Sequence, residues 1–393
     1  MLQHLGNEKF LLQSLSKPTK GSAIIKLLQS FIASTCFLGD VSCKTSFFIE
    51  VSTVKVIGKR LKYSSKDDST QKRRNSTPLN GLNVIDFHAH FPSTNWMNWA
   101  SSWRRRLADR YGEDSAQILM EQSKRDKEEM RRLWGFAPPE SNVCSDDEQA
   151  AKWAADLDVK GVDRVNFVTG GGNDNLAKIV RMYPDKFSGF AHHNLFSEDA
   201  PLELERAVKK LGLKGYKVIG SSQRRPIDDK SVYPLWEMAE KLGVPVIIHF
   251  GVLGGGGGMA LDLRNMNPLT LWEVAKMFPR IPFVVPHFGA GYLRELLQLC
   301  WSCPNVYMDT SGSNRWMRWM PFEIDLKGIF RRAIETVGPD RVIFGSDSSY
   351  FPRGFSLPYL REQLKACRSI GLEEGSIEKI FCKNAAKLLR VNV

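Results

Sequence analysis

From residue 82 the chain alternates between two rhythms. The short apolar runs Leu82–His88, Arg164–Thr169, Phe187–His192, Leu213–Ile219, Val244–His249, Phe283–His287, Val306–Asp309 and Val342–Gly345 read as strands. Between them lie longer segments such as "NDNLAKIVRMYP", "DAPLELERAVKKLG", "SVYPLWEMAEKLG", "GYLRELLQLCW" and "LKGIFRRAIETVG". Most of these space their apolar residues at i, i+3 and i+4, and several end in Gly or Pro, as amphipathic helices do. Residues Ser376–Arg390 predict one further helix that closes the chain. This alternation over residues 82–393 predicts an α/β fold, a (β/α)8 TIM barrel, which typically needs about 250 residues plus insertions. The alternative, a doubly wound open sheet, needs a glycine-rich phosphate turn after its first strand. The first strand here ends in His-Ala-His instead.

Two stretches break the rhythm. Residues 91–150 form the largest insertion, carry Trp96, Trp99, Trp103 and Trp134, and predict one or two amphipathic helices after strand one. In a barrel the loop after a strand lies on the catalytic face, so this insertion is expected to cover the pocket as a lid or wall, to form an oligomer contact, or both. Residues 1–80 are rich in Ser and Lys and end in the linker-like "SSKDDSTQKRRNSTP". The reading preferred for this extra N-terminal extension is a poorly ordered segment outside the chemistry. An organelle-targeting peptide is the runner-up, and a small appended structure built on the alternating Lys44–Leu61 is the third reading. Residues 81–393 then form the catalytic domain.

Charge changes the picture little. The formal net charge is +12, but residues 1–78 hold 13 Lys/Arg against 5 Asp/Glu, leaving 42 against 38 for the rest. The body of the protein is nearly balanced, which argues against a nucleic-acid-binding domain there. Seven cysteines at 36, 43, 144, 300, 303, 367 and 382 make an odd, scattered set. That argues for a reducing compartment, with the cytoplasm as the expected location. Cys300 and Cys303 form a CxxC, but it closes a helix rather than opening one, so ordinary reduced thiols are expected. No run reaches the roughly 18 apolar residues a membrane span needs; the nearest candidate, Ala23–Gly39, is broken by Lys26 and Gln29.

The chemistry is carried by the histidines. Of the seven, only His4 lies away from a predicted strand end; His88, His90, His192, His193, His249 and His287 fall at or near one. His88 and His90 are two apart, so a strand turns both to one face. Asp347 follows "VIFGSD" on strand eight. Each of these alone reads best as a cap or a loop hydrogen bond. In a parallel barrel, however, all strand C-termini converge on one mouth. One pocket holding these imidazoles and a carboxylate calls for a divalent cation.

The segments "IDFHAHFP", "VIIHFG", "VVPHFG" and "FGSD" resemble the amidohydrolase superfamily, in its amidohydrolase-related branch. That branch includes aminocarboxymuconate semialdehyde decarboxylase, resorcylate decarboxylases and related lactonases. The tail "IEKIFCKNAAKLL" is similar to the branch's closing helix, and the resemblance covers about residues 82–393. It implies one metal ion, zinc first with manganese as the alternative, held by His88, His90, His249 and Asp347. It also implies that His287 is the acid/base group. The residue chemistry agrees: imidazoles and one carboxylate suit a borderline ion, and such an ion lowers the pKa of bound water from about 15.7 to about 7. Asp347 is then expected both to ligate and to move a proton. Binuclear members of the superfamily use a carboxylated strand-four lysine; Lys217 is expected instead to be a pocket or structural lysine.

Weaker features surround the mouth. "GVLGGGGGMALD" after His249 is expected to let backbone approach a ligand. Arg353, Arg315 and Arg318 follow strands eight and seven, and an arginine there is able to grip a carboxylate with two hydrogen bonds. Solvent-facing charge is the preferred reading for Arg318. With Trp96 and Lys217, the others predict a small acidic substrate. The leading expectation is a metal-dependent hydrolase that attacks a carbonyl centre with activated water. The alternative on the same ligands is a non-oxidative decarboxylase of an aromatic or unsaturated acid. A homodimer is expected by analogy. A non-catalytic protein whose basic extension contacts nucleic acid or an acidic membrane is the third reading, and the intact ligand set argues against it.

Overall fold

A computed structural model of the 393-residue chain describes residues 79, 81–141, 144–251, 262–312 and 316–393, without the side chains of residues 96–101, 134, 318 and 319. The expectations placed on residues 1–78, on the glycine-rich loop at 252–261, on Arg315 and on the side chains of Trp96, Trp99, Trp134 and Arg318 lie outside these described residues.

Eight strands run parallel in two hydrogen-bonded groups. The first is β1 (Ile85–His90), β2 (Arg164–Thr169) and β3 (Phe187–Gly189); the second is β4 (Tyr216–Ile219), β5 (Val246–His249), β6 (Phe283–Val285), β7 (Val306–Asp309) and β8 (Val342–Ile343). Backbone bonds close the ring. Ala191 N–H donates to Gly215 O and Lys217 N–H to Ala191 O, each at 2.8 Å, joining the end of β3 to β4. Phe87 N–H donates to Phe344 O at 3.0 Å and His90 N–H to Ser348 O at 2.7 Å, joining β8 to β1. The result is the (β/α)8 barrel that the alternation predicts.

Two apolar layers hold it together. Ile85, Phe87, Val168, Phe190, Ile247, Val284 and Ile343 fill the barrel interior, whose lower end is plugged by Cys382, Ala385 and Leu389 of the closing helix. Val84, Ala89, Val165, Phe167, Val246, Ile248 and Phe283 point outward and pack against the surrounding helices. Trp153 and Phe167 meet edge to face at 5.2 Å, and Trp236 and Phe283 at 6.0 Å. Full burial of each such ring contributes roughly 1.5–3 kcal/mol.

The helices end where their residues dictate. Helix Asp146–Lys160 starts at a capping box: Ser145 accepts from Glu148 N–H while the Glu148 carboxylate accepts from Ser145 N–H. Helix Tyr233–Leu242 stops at Gly243, whose φ of 62° is the left-handed conformation glycine reaches without strain.

Strands β3, β4, β5 and β8 are shorter than their apolar runs, and three further boundaries differ from the sequence reading. Strand β1 starts three residues later than its apolar run and ends two later, at His90 rather than His88. Its pairing with β2 slips between Asp86 and Ala89, so Phe87 and His88, chain neighbours, both face inward; such a bulge re-aims a side chain. Strand β6 stops before Pro286, which has no N–H to donate. The closing helix is not continuous: Glu374–Glu378 and Asn384–Leu389 flank a π turn at Lys379–Lys383. There Ile380 O accepts from Phe344 N–H at 2.8 Å, just past the end of β8.

The insertion after β1 forms helices Trp96–Tyr111 and Glu113–Trp134, with a small apolar cluster of their own at Trp103, Leu107 and Ala116. Arg106 donates to Ser222 O, and Arg224 reaches Asp109 at 3.1 Å, seating the first helix on the loop after β4. Glu140 N–H donates to Phe351 O at 2.9 Å, seating the following segment on the loop after β8. Both loops leave the C-terminal ends of strands, so the insertion lies on the mouth of the barrel.

Candidate active site

The C-terminal ends of β1, β4, β5, β6, β7 and β8 bring their polar side chains to one place. Ligand atoms of His88, His90 and Asp347 all lie within 4.8 Å of one another. His90 Nε2 is 3.2 Å from Asp347 Oδ1, and its Nδ1 is 2.7 Å from Thr169 Oγ1. The imidazoles of His88 and His287 are 5.2 Å apart, and those of His249 and His287 are 4.9 Å apart. His287 Nε2 lies 3.1 Å from His249 Nδ1. Lys217, 1% exposed, places Nζ 3.4 Å from His88 Nε2.

The electrostatics follow from burial. Desolvation, then the Lys217 and His287 charges, hold His88 well below the usual imidazole range. His249 is lowered well below it too, by desolvation and by His287, and His287 is lowered mainly by desolvation. His192, beside β3, is brought down to about 4 by burial. Lys217 is lowered to about 8 by burial, against the pull of Asp309 and Asp347. For Asp347 desolvation acts upward, but the hydrogen bond from His90 and the charges of His287, His90 and His88 hold the carboxylate well below its usual range. That side chain keeps 37% of its surface exposed to the mouth. Burial therefore favours the neutral imidazole at His88 and His249, and the neighbouring groups favour an ionised Asp347, the protonation states a metal requires of its ligands.

One observation tests the fit of a cation directly. His249 Nε2 is buried and has no hydrogen-bond partner among the described residues. An unpaired buried nitrogen is costly, and a cation accepting its lone pair removes that cost. The ligand atoms brought within 4.8 Å of one another, two imidazoles and a carboxylate at His88, His90 and Asp347, fit a divalent ion of zinc or manganese type, and His249 is not part of that group.

Two of these residues sit in strained backbone. His287 (φ 58°) and Asp347 (φ 56°) are non-glycine residues in the left-handed region, a conformation that gathers at functional sites.

Of the remaining expected residues, Arg353 lies at the rim. Its guanidinium donates to Asp347 O at 3.2 Å and to Ser349 Oγ at 3.1 Å, and stacks over Phe136 at 4.8 Å and Tyr350 at 5.1 Å. Lys160 pins that loop, donating to Arg353 O at 3.1 Å and Phe355 O at 2.7 Å. The CxxC is inert: burial pushes the Cys300 thiol up to about 12.

Three contributors went unread in the sequence. Asp309, at the end of β7, places Oδ2 2.6 Å from His88 Nδ1. Ser311 Oγ lies 2.9 Å from His287 Nδ1 and 3.1 Å from His88 Nδ1. Asp86 accepts from Ser346 N–H at 2.9 Å and His88 N–H at 3.2 Å, joining the two strands that carry His88 and Asp347. The signal for Asp309 was present: it ends a strand, as His249 does.

A closed parallel barrel with a His-x-His pair on β1, further imidazoles on β5 and β6, and an aspartate after β8 defines a barrel enzyme of metal-centre type. The chain belongs to the amidohydrolase family, whose pattern matches residues 85–391. Among curated proteins it is 38% identical over 275 residues to a gamma-resorcylate decarboxylase of Polaromonas, covering 58% of this chain and 78% of that one. It is 35% identical to the 2-amino-3-carboxymuconate-6-semialdehyde decarboxylase of Dictyostelium discoideum over 78 residues, 20% of this chain and only 22% of that one. A solved structure of 5-carboxyvanillate decarboxylase from Novosphingobium aromaticivorans, with bound manganese, has the same fold (TM-score 0.54, 16% identity, 79% of this chain and 98% of that one).

Proposed function

We propose that this amidohydrolase-family enzyme is a metal-dependent non-oxidative decarboxylase of a small aromatic or unsaturated carboxylic acid. The observation that carries the reading is the 38% identity to a resorcylate decarboxylase over most of that protein's length. Hydrolysis of a carbonyl centre, the leading expectation from sequence, needs the same ligands, and it yields because the related proteins named above are decarboxylases.

In this reading His88, His90, His249 and Asp347 hold one divalent cation, zinc or manganese. When bound, the cation supplies positive charge for the substrate's oxygens and stabilises electron density that builds on them. The chain's own residues do the rest. Arg353 and Lys217 bring positive charge to an acidic substrate. The insertion walls the mouth and excludes water. Decarboxylation replaces a C–CO2− bond with C–H, so one proton must reach carbon as CO2 leaves. We assign the holding and delivery of that proton to His287, with Asp347, ionised, as the carboxylate that relays it.

The experiment is to strip the purified chain with a chelator, restore it with Mn2+ or Zn2+, and offer hydroxybenzoates, lactones and amides. CO2 release with the matching decarboxylated product is expected, absent in the stripped chain and restored by the ion. Turnover of a lactone or amide without CO2 would refute the reading.

A further inference from the structure

We infer that Asp309 is the positioning residue that sets the tautomers of His88, His287 and His249 together, so that both His88 and His249 present a bare Nε2 to the site. The inference rests on the metal-centre reading above and deepens it.

The assignment starts from His88, which is bounded by two groups of fixed polarity. On one side is the Asp309 carboxylate, which only accepts: its Oδ2 is 2.6 Å from His88 Nδ1. On the other is the Lys217 ammonium, which only donates: its Nζ is 3.4 Å from His88 Nε2. Both demand the same tautomer, with the proton on Nδ1 and the lone pair on Nε2.

Asp309 also orders the next link. Its Oδ1 accepts from Ser311 N–H at 2.6 Å, fixing the serine's backbone against the carboxylate. The Ser311 hydroxyl, 3.1 Å from His88 Nδ1 and 2.9 Å from His287 Nδ1, is in this assignment the acceptor for His287 Nδ1. His287 then carries its proton on Nδ1, and its Nε2 accepts from His249 Nδ1 at 3.1 Å. The consequence is a bare Nε2 on His249, the buried atom that has no hydrogen-bond partner. The reverse polarity would leave a buried N–H donor unpaired at that spot and give a cation nothing to bind. The chain is tightly packed: a Cβ at Gly312 would lie 3.2 Å from His287 Nδ1, and one at Gly345 would lie 2.8 Å from Asp309 Oδ1.

Carboxylates that orient ligating imidazoles in this way typically matter 10–100-fold in metal affinity. The test uses the full chain and two readouts. Nitrogen-15 NMR of the ion-free wild type is expected to show His88 and His249 protonated on Nδ1 only. Titration with Mn2+ alone is expected to give about 10–100-fold weaker binding in Asp309→Asn at unchanged stoichiometry. The Ser311→Ala variant breaks the link to His287 but should leave the His88 tautomer intact. A proton on Nε2 of His88 or His249, or wild-type Mn2+ affinity in Asp309→Asn, would overturn the inference. Should Asp309→Asn fail to fold, the wild-type tautomers still decide it. If the wild type binds neither Mn2+ nor Zn2+, the metal-centre reading falls, and the tautomers alone judge the role of Asp309.

Discussion

Replacing Asp86 with Asn should stabilise the ion-free chain increasingly as pH rises. Asp86 is wholly buried, and desolvation raises its carboxyl from about 3.8 to about 7, against hydrogen bonds from Ser346 and His88. A folded pKa above the unfolded one means that ionisation costs the folded state: the Asp86 contribution is intact below about pH 4 and is lost as pH climbs through 7. Three units at about 1.36 kcal/mol each make that loss about 4 kcal/mol. Asparagine fits the same contacts. Its Oδ1 can accept from Ser346 N–H and His88 N–H, where Asp86 Oδ1 now accepts at 2.9 and 3.2 Å. Its Nδ2 can donate to Ser346 Oγ, whose own proton turns to Ser348 Oγ at 2.6 Å. Denaturant unfolding of wild type and Asp86→Asn at a series of pH values isolates the term, because the other groups titrate in both proteins. The variant should match wild type within about 1 kcal/mol near pH 4.5 and exceed it by several kcal/mol at pH 8. A variant that loses stability relative to wild type as pH rises would show the carboxylate to be ionised and needed, and the burial argument would be wrong.

Two further outcomes follow from packing and from the rim. Gly345→Ala puts a Cβ 2.8–2.9 Å from Asp309 Oδ1, His88 Cβ and Ser311 Cβ, and should cost about 1–3 kcal/mol by overpacking; Gly375→Ala, with open space around it in helix Glu374–Glu378, should gain about 0.5–1 kcal/mol, and equal denaturation midpoints for the two would contradict this. Lys160→Met removes the cation that donates to Arg353 O and Phe355 O, so KM for an acidic substrate should rise roughly tenfold, about 1.4 kcal/mol, with Mn2+ stoichiometry unchanged; an unaltered KM would mean that the loop does not position Arg353 for substrate.

Much of the barrel was legible because its signals are local. The strands β2 and β7 have the bounds their apolar runs predict, and Gly243 and Gly338 end their helices as glycine should. The histidines at strand ends were legible once a closed ring was assumed, since closure alone brings distant strand ends together. The slip in β1 was not, because a bulge depends on the partner strand and leaves no mark in its own residues. Asp309 and Ser311 were passed over for a different reason: a single acid or serine at or just past a strand end usually caps or turns the chain. Only the distance to His88, set by residues more than two hundred positions away, separates a cap from a partner of an imidazole.

The polar mouth also explains the strained turns beside it. A strand that continued past β6 would alternate its side chains and carry His287 out of the cluster, and one that continued past β8 would carry Asp347 further along the barrel axis. The chain instead turns left-handed at His287, Phe288, Ala290 and Asp347, at about 1–2 kcal/mol per residue. Together these approach the net stability of an ordinary domain, so local contacts must offset them. At β6 the offset is apolar: Phe288 is fully buried and meets Phe330 edge to face at 5.3 Å, while Ala290 N–H closes the turn on His287 O at 2.8 Å. At β8 it is polar: Asp347 N–H donates to His88 O at 2.8 Å, and Ser346 before it is tied to Asp86. The backbone of His88 thus holds the turn that delivers Asp347, and the carboxyl group of Asp86 holds both. Strain, bulge and buried acid are parts of one arrangement, in which β1 and β8 fix the positions of His88, His90 and Asp347 relative to one another before any ion arrives.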